Sequence, residues 1–186
     1  KLDRVIEIDR TRLTTDLDSV VKRADIDVVC ELIGGTTLAK EAVLSAIAAG
    51  KHVVTANKAL LAEDGAEIFA AADQAQVEVY YEAAVCGGVP IIRVLREGLA
   101  SDRVESLTGI VNGTSNYILT TMTETRRPFA DILADAQKLG YAEADPAFDV
   151  EGIDAAHKLV ILASLAFGIP LQFDAVYTEG ITQLTT

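Results

Sequence analysis

Between Ile26 and Ala62 the spacing of apolar residues changes from continuous to helical and back. IDVVCELIGG is a largely apolar run closed by two glycines, the pattern of a parallel strand covered on both faces. TTLAKEAVLSAIAAGK then sets Leu38, Ala42, Val43, Ala46 and Ile47 at helical spacing, with Thr36 or Thr37 as cap and Gly50 placed for the left-handed residue past the end. KHVVTANK follows as a second short strand, so the segment is a strand-helix-strand crossover that builds parallel sheet. A further helix over about 59–74 and the buried strand VEVYYEAAV extend it. Upstream, RVIEI has the pattern of a strand or strand remnant and LDSVVKRA that of a helix with an acidic start.

After Glu82 the pattern changes. CGGVPIIRVLREGLAS predicts a helix with Pro90 in its first turn and Ile91, Val94, Leu95 and Leu99 on one face. VESLTGIVNG is strand-like, NGTSNYILTTMTE opens a helix capped by Thr114 or Ser115, and FADILADAQKLG is an amphipathic helix stopped by Gly140. A last helix is expected from about 152 to 167, before a strand-like VYTEGITQL. The fold class is therefore α/β: a partial doubly wound, Rossmann-like parallel sheet over residues 1–84, followed by an α+β substrate or dimerisation domain over 85–186.

Composition narrows the partners. With 186 residues, half of them hydrophobic, the chain buries a true core. A net charge of -12 (28 acidic against 16 basic residues) argues against nucleic acid, whose phosphates require clustered lysine and arginine, and favours a small-molecule ligand. The most apolar run, Leu159 to Leu171, is interrupted by Gly168 and Pro170 and is too short for a bilayer. Two isolated cysteines, Cys30 and Cys86, make neither a disulfide framework nor a thiolate metal site; buried free thiols in a reducing cytoplasm are expected. The chain opens at Lys1 without a methionine, which suggests a piece of something longer.

The richest stretch chemically is GYAEADPAFDVEGIDAAHK, Gly140 to Lys158, which sets Glu143, Asp145, Asp149, Glu151 and Asp154 before a lysine. One reading is a solvated acidic helix start, favoured by the helix dipole at roughly 0.3–1 kcal/mol per charge, with Asp154 and Lys158 a surface pair at i,i+4. A calcium loop lacks the alternating carboxylates and closing glutamate it needs. The third reading is a pocket. The helix bearing Asp154 and Lys158 is apolar around most of its circumference, so a desolvated lysine flanked by carboxylates, Glu143 among them, would suit a substrate with an ammonium and a reacting oxygen. Lys58 joins this argument: it follows HVVTA at the strand's carboxyl end, where open α/β sheets bind ligands. It also opens a helix, a poor place for a cation without an anionic partner. Asn57 beside it serves either as cap or as ligand contact. His52, in a strand, and His157, on an apolar helix, pair with no nucleophile.

ELIGG, GKHVVTANKALLA, EAAVCGGVPII, GIVNGTSNYIL and LGYAEADPAFDVEGIDAAHKL, in this order, resemble the homoserine dehydrogenase family over residues 27–186. The last block, with its intact G-Y-x-E-x-D-P-x-x-D-x-x-G-x-D-x-x-x-K pattern, is the most specific. The resemblance implies NAD- or NADP-dependent interconversion of L-homoserine and L-aspartate 4-semialdehyde, on the way to threonine and methionine, by a homodimer or tetramer. It implies Lys158 as proton donor and acceptor with Lys58 beside the reacting oxygen, and Glu143, Asp149 and Asp154 at the substrate. Ile33, Gly34, Gly35, Lys58 and Gly140 fall where the family meets its cofactor. EAAVCGGV is similar to a loop that holds sodium through Glu82 and the carbonyls of Val85, Gly87 and Val89; otherwise Gly87 and Gly88 merely turn the chain.

The glycine fingerprint G-x-G-x-x-G that seats a pyrophosphate appears nowhere in the chain, and the resemblance places it ahead of Lys1. The isolated chain is therefore expected to bind cofactor poorly. The sequence leaves two rivals: a dehydrogenase of another small polar substrate, and a non-catalytic dimerisation or regulatory module.

Overall fold

The computed structural model describes residues 8–185. Of RVIEI, residues 4–7 lie outside the described part; LDSVVKRA gives a single helical turn, α1 (Asp18–Val21). A parallel sheet of three strands follows, β1 (Val28–Glu31), β2 (His52–Thr55) and β3 (Val79–Tyr80), in the order β1-β2-β3. β1 and β2 pair from Val28 with His52 to Glu31 with Thr55, so both strands end level and present Glu31 and Thr55 side by side. β3 joins only through Val79 and Tyr80, shorter than its apolar run suggests, because the chain turns into a 3₁₀ segment at Glu82–Ala84.

The crossovers are α2 (Thr37–Ala48) and α3 (Lys58–Ala75). Thr36 takes the N-cap position of α2 without a side-chain bond, and Gly50 supplies the left-handed turn past its end. Ala39, Val43 and Ile47 of α2, Leu60, Leu61 and Ile68 of α3, and Val53 of β2 form the main core. Each large apolar side chain buried there contributes roughly 1.5–3 kcal/mol. The opposite face of the sheet, with Val28, Cys30, Val54 and Tyr80, is exposed. Two expectations thus change: among the described residues helices cover one face only, and Cys30 is an exposed free thiol because it points to the other face.

The helix expected at Pro90 is the short α4 (Ile91–Arg93), which relaxes into a π turn over Val94–Gly98. Its buried residue is Ile92, and Val94 is exposed, because the wider π turn rotates the later residues off the predicted face. Next come α5 (Gly113–Thr125), α6 (Phe129–Lys138), the single turn α7 (Ala147–Val150) and α8 (Ile153–Phe167). Asn112, not Thr114 or Ser115, caps α5. VESLTGIVNG (104–113) and VYTEGITQL (176–184) have strand-like composition but no strand among the described residues, since extended chain without a neighbour to accept its ladder remains unpaired. No described helix is long and apolar enough to cross a membrane.

Two features position the site. Helix α8 adds Val160, Ile161 and Leu162 to the main core and packs on α3, so the start of α8 faces the start of α3. Gly152 takes φ 82° at the α8 N-cap, where a Cβ would approach Thr178 Cγ2 to 2.9 Å and the Glu179 carbonyl oxygen to 3.3 Å. Gly152→Ala is therefore expected to destabilise the chain by more than about 1 kcal/mol, the left-handed penalty alone. Urea denaturation checks this; an unchanged midpoint would show that residues 178–179 yield freely.

Candidate active site

The level ends of β1 and β2 create one cavity. Glu31, buried at the end of β1, accepts hydrogen bonds from Thr55 Oγ1 (2.6 Å), Ile33 N (2.6 Å) and Gly34 N (3.2 Å), which fixes the turn after the strand. Asn57 caps α3 by accepting from Leu60 N and donates Nδ2 to the Gly35 carbonyl oxygen at 2.7 Å, so its side chain is a cap and a loop tie. Gly34 and Gly35, at φ 81° and 69°, have open space where a Cβ would stand. With Asn57, Lys58 and Phe148 they line a cavity of about 440 Å³. Ile33 is exposed, and its N–H is already engaged by Glu31.

A second cleft, about 650 Å³, lies between α5, the residues after α6, and α8. Gly140, Tyr141, Asn112, Asp149, Asp154 and Lys158 form its walls. Gly140 has φ 77° and nothing within 4 Å of a Cβ position, leaving backbone accessible on that side. Asp154, in the wall of this cleft, is tied to the first cavity through Lys58. Its Oδ1 lies 3.1 Å from Lys58 Nζ, and its Oδ2 lies 2.6 Å from Lys158 Nζ, so one carboxylate bridges two lysines a hundred residues apart in sequence. Side-chain exposures of 7% for Asp154, 16% for Lys158 and 29% for Lys58 exclude a solvated i,i+4 surface pair. Lys158 Nζ also donates to the Val111 carbonyl oxygen at 2.6 Å.

The carboxylates are held in turn by Asn112, whose Nδ2 lies 2.7 Å from Asp149 Oδ1 and 2.9 Å from Asp154 Oδ2. Burial pushes the Asp154 carboxyl up, but hydrogen bonds from Lys158, Asn112 and Lys58 outweigh it and hold the pKa below the ordinary carboxylate range. Lys58 Nζ also stands 5.4 Å from the Phe148 ring centroid, a cation–π distance. Glu143 lies apart: its side chain is exposed, it is not in the cleft wall, and only its carbonyl oxygen is engaged, by Gln137 Nε2 at 3.1 Å. In the loop compared with a sodium site, the Glu82 carboxylate accepts from Ile92 N and Arg93 N, both at 2.9 Å, and so caps α4. The Val89 carbonyl oxygen accepts from Ile91 N, whereas those of Val85 and Gly87 accept no hydrogen bond among the described residues.

His157 follows Asp154 on α8 and is 2% exposed, stacked between Phe148 at 5.4 Å and Phe173 at 4.4 Å. Neither ring nitrogen has a hydrogen-bond partner among the described residues, and Nε2 is 3.5 Å from Glu63 Oε1. Burial lowers its pKa, Glu63 opposes that, and Lys58 adds to it; the net direction is down. The unfolded chain then takes up this proton first, near pH about 6.5, so stability falls as the pH drops through that range and levels off below the folded pKa. The loss of stability between about pH 7.5 and 5.5, read from urea midpoints, is expected to be larger in the wild type than in His157→Phe. Equal losses would show that the imidazole is solvated.

A family profile described as the homoserine dehydrogenase NAD binding domain matches residues 3–82, and a second, described as homoserine dehydrogenase, matches residues 90–186. The homoserine dehydrogenase of Pseudomonas aeruginosa is 64% identical over 176 residues, 95% of this chain and 41% of that protein. The crystal structure of a homoserine dehydrogenase from Thiobacillus denitrificans superposes with a TM-score of 0.90 at 62% identity, covering 92% of this chain and 40% of that one. A hyperthermophilic archaeal homoserine dehydrogenase in complex with NADPH gives a TM-score of 0.80 at 28% identity, over 92% of this chain and 53% of its own. The fold and the two profiles define an NAD-binding domain joined to a dehydrogenase domain. The chain belongs to the homoserine dehydrogenase family, and it spans about 41% of the length of the relatives it matches.

Proposed function

We propose that the protein containing this chain interconverts L-homoserine and L-aspartate 4-semialdehyde with NAD or NADP, a step toward threonine and methionine. The observation that carries this reading is the Asp154 carboxylate bridging Lys58, in the wall of the strand-end cavity, and Lys158, in the wall of the cleft. Bound NAD(P) supplies the hydride donor or acceptor. Residues 1–84 contribute the cofactor side: Gly34, Gly35 and Lys58 line a cavity in which backbone and ammonium can approach a ligand closely, and Gly140 offers backbone from across the cleft. Ile33 contributes there through its main chain.

Residues 85–186 contribute the substrate side. In the reductive direction Lys158 gives a proton from Nζ to the oxygen that becomes the C4 alkoxide, and Lys58 lowers the cost of the negative charge developing there. Asp154 keeps both ammonium groups at one point, and Asp149 adds negative charge facing the substrate ammonium. Glu143 is assigned to that ammonium as well, which requires its exposed side chain to turn toward the cleft when substrate enters. Val85 and Gly87 supply carbonyl oxygens suited to a structural sodium ion, a hard cation; Glu82 and Val89 join only if they share their present hydrogen bonds. A homodimer or tetramer in the cytoplasm completes the reading.

The test is reduction of NAD⁺ and NADP⁺ by homoserine, followed at 340 nm, on the full-length protein and on this chain. Homoserine-dependent turnover by the full-length protein is expected. Its absence with both cofactors, while either still binds, would leave the non-catalytic module or another polar substrate in its place.

A further inference from the structure

Among the described residues Asn112 alone touches both carboxylates of the cleft, and its amide has no freedom. It is 8% exposed. Ser115 N can only donate, and it lies 2.7 Å from the Asn112 side-chain oxygen, which fixes that oxygen at the start of α5. The amide nitrogen must then face the other way, where its two hydrogens meet Asp149 Oδ1 and Asp154 Oδ2. Both targets are carboxylate oxygens that accept these hydrogens, and all three polar positions of the amide are used. The adjacent residue completes the arrangement, because the Val111 carbonyl oxygen accepts from Lys158 Nζ at 2.6 Å. Residues 111 and 112 thus hold the lysine through the main chain and its carboxylate partner through a side chain.

We propose that Asn112 is a positioning residue of the reaction: it locks the Asp154 carboxylate in the rotation that offers Oδ1 to Lys58 and Oδ2 to Lys158. Without the amide, only the two flexible lysine side chains restrain rotation of Asp154 about its Cβ–Cγ bond, and the ammonium groups lose their fixed separation. A misplacement of this kind, about 1 Å at the reacting groups, costs on the order of 100-fold in rate. The inference rests on the proposed reaction, and a plain helix cap is the competing role.

Two variants separate the roles. Asn112→Ser keeps a good N-cap and removes both amide hydrogens; Asn112→Asp keeps the cap and sets a third carboxylate against Asp149 and Asp154. In the full-length protein Asn112→Ser is expected to melt within a few degrees of wild type, and Asn112→Asp lower, because of the added like charge. Their kcat for homoserine is expected to fall about 10- to 100-fold with little change in the KM for cofactor, and the pH profile of kcat to shift. In the double variant with Asp154→Asn, Asn112→Ser is expected to cost almost nothing further, because the carboxylate that it orients between the two lysines is already gone, and only its contact with Asp149 remains to be lost. A kcat within about twofold of wild type in both folded variants, or losses that simply add in the double variant, would leave only the cap. If the wild-type protein shows no homoserine turnover, the proposed function fails, and ¹H–¹⁵N spectra of lysine ammonium groups in this chain decide Asn112 on their own. A protected Lys158 signal in wild type that disappears in Asn112→Ser supports the clamp; a signal that persists in the variant, or is missing from wild type, overturns it.

Discussion

Lys158→Ala is expected to lower the turnover of homoserine by about three orders of magnitude, within the range general acid–base groups contribute, and to leave cofactor affinity nearly unchanged. The fold should survive for a specific reason. Removing the Lys158 ammonium does not orphan Asp154, which retains Lys58 on Oδ1 and Asn112 on Oδ2; only the Val111 carbonyl oxygen loses its partner. That cost is on the order of 1 kcal/mol, too little to unfold a domain whose core lies elsewhere. Turnover is read at 340 nm in the full-length protein, cofactor affinity by NADPH fluorescence, and folding by circular dichroism. Partial recovery of turnover on adding a small primary amine would identify the missing group as the proton carrier. A folded variant with turnover within a few-fold of wild type would remove Lys158 from that role and leave electrostatic positioning as its contribution.

How much of this site was legible in the sequence depends on what each residue's role requires. β1, α2, β2 and α3 follow from the switch between continuous and helical apolar spacing, because burial against a sheet imposes both periods locally. Lys58 stood out because a cation opening a helix needs an anion, and Asp154 is that anion. Its partner's position is set by α8 packing on α3, a tertiary contact with no local signature. Glu31 was hidden inside a strand run: its burial depends on Thr55 of the neighbouring strand being level with it, which register alone determines. Asn112 sits in NGT, where a cap is foreseeable but the two carboxylates it meets, 37 and 42 residues on, are not. Residues 104–113 show the opposite failure: strand-like composition describes what a strand tolerates, whereas pairing needs a second strand that the described residues do not offer.

Asp154→Ala is expected to have the largest effect on stability and to abolish turnover as well. The carboxylate is the shared counter-ion of two lysines and an acceptor for Asn112, so its removal leaves two partly buried ammonium groups facing each other and an amide hydrogen without a target. Breaking a buried pair by deleting one partner costs about 3–5 kcal/mol, and the exposure of Lys58 places this case at about 3 kcal/mol. Adding Lys158→Met should recover part of the loss, since one of the two stranded charges goes with it. The pH dependence distinguishes this electrostatic account from a simple packing defect. Lys158, Asn112 and Lys58 hold the Asp154 pKa below its unfolded value, so its contribution is fully present above the ordinary carboxylate pKa, about 3.9, and is lost as the pH falls through the folded value. The gap in urea midpoint between wild type and Asp154→Ala should therefore be wide near about pH 7 and narrower at about pH 3, below the ordinary carboxylate pKa, because there the unfolded chain takes up the proton first. A gap of the same width at both pH values would mean that Asp154 stabilises the chain by filling space, and that the two lysines do not depend on its charge.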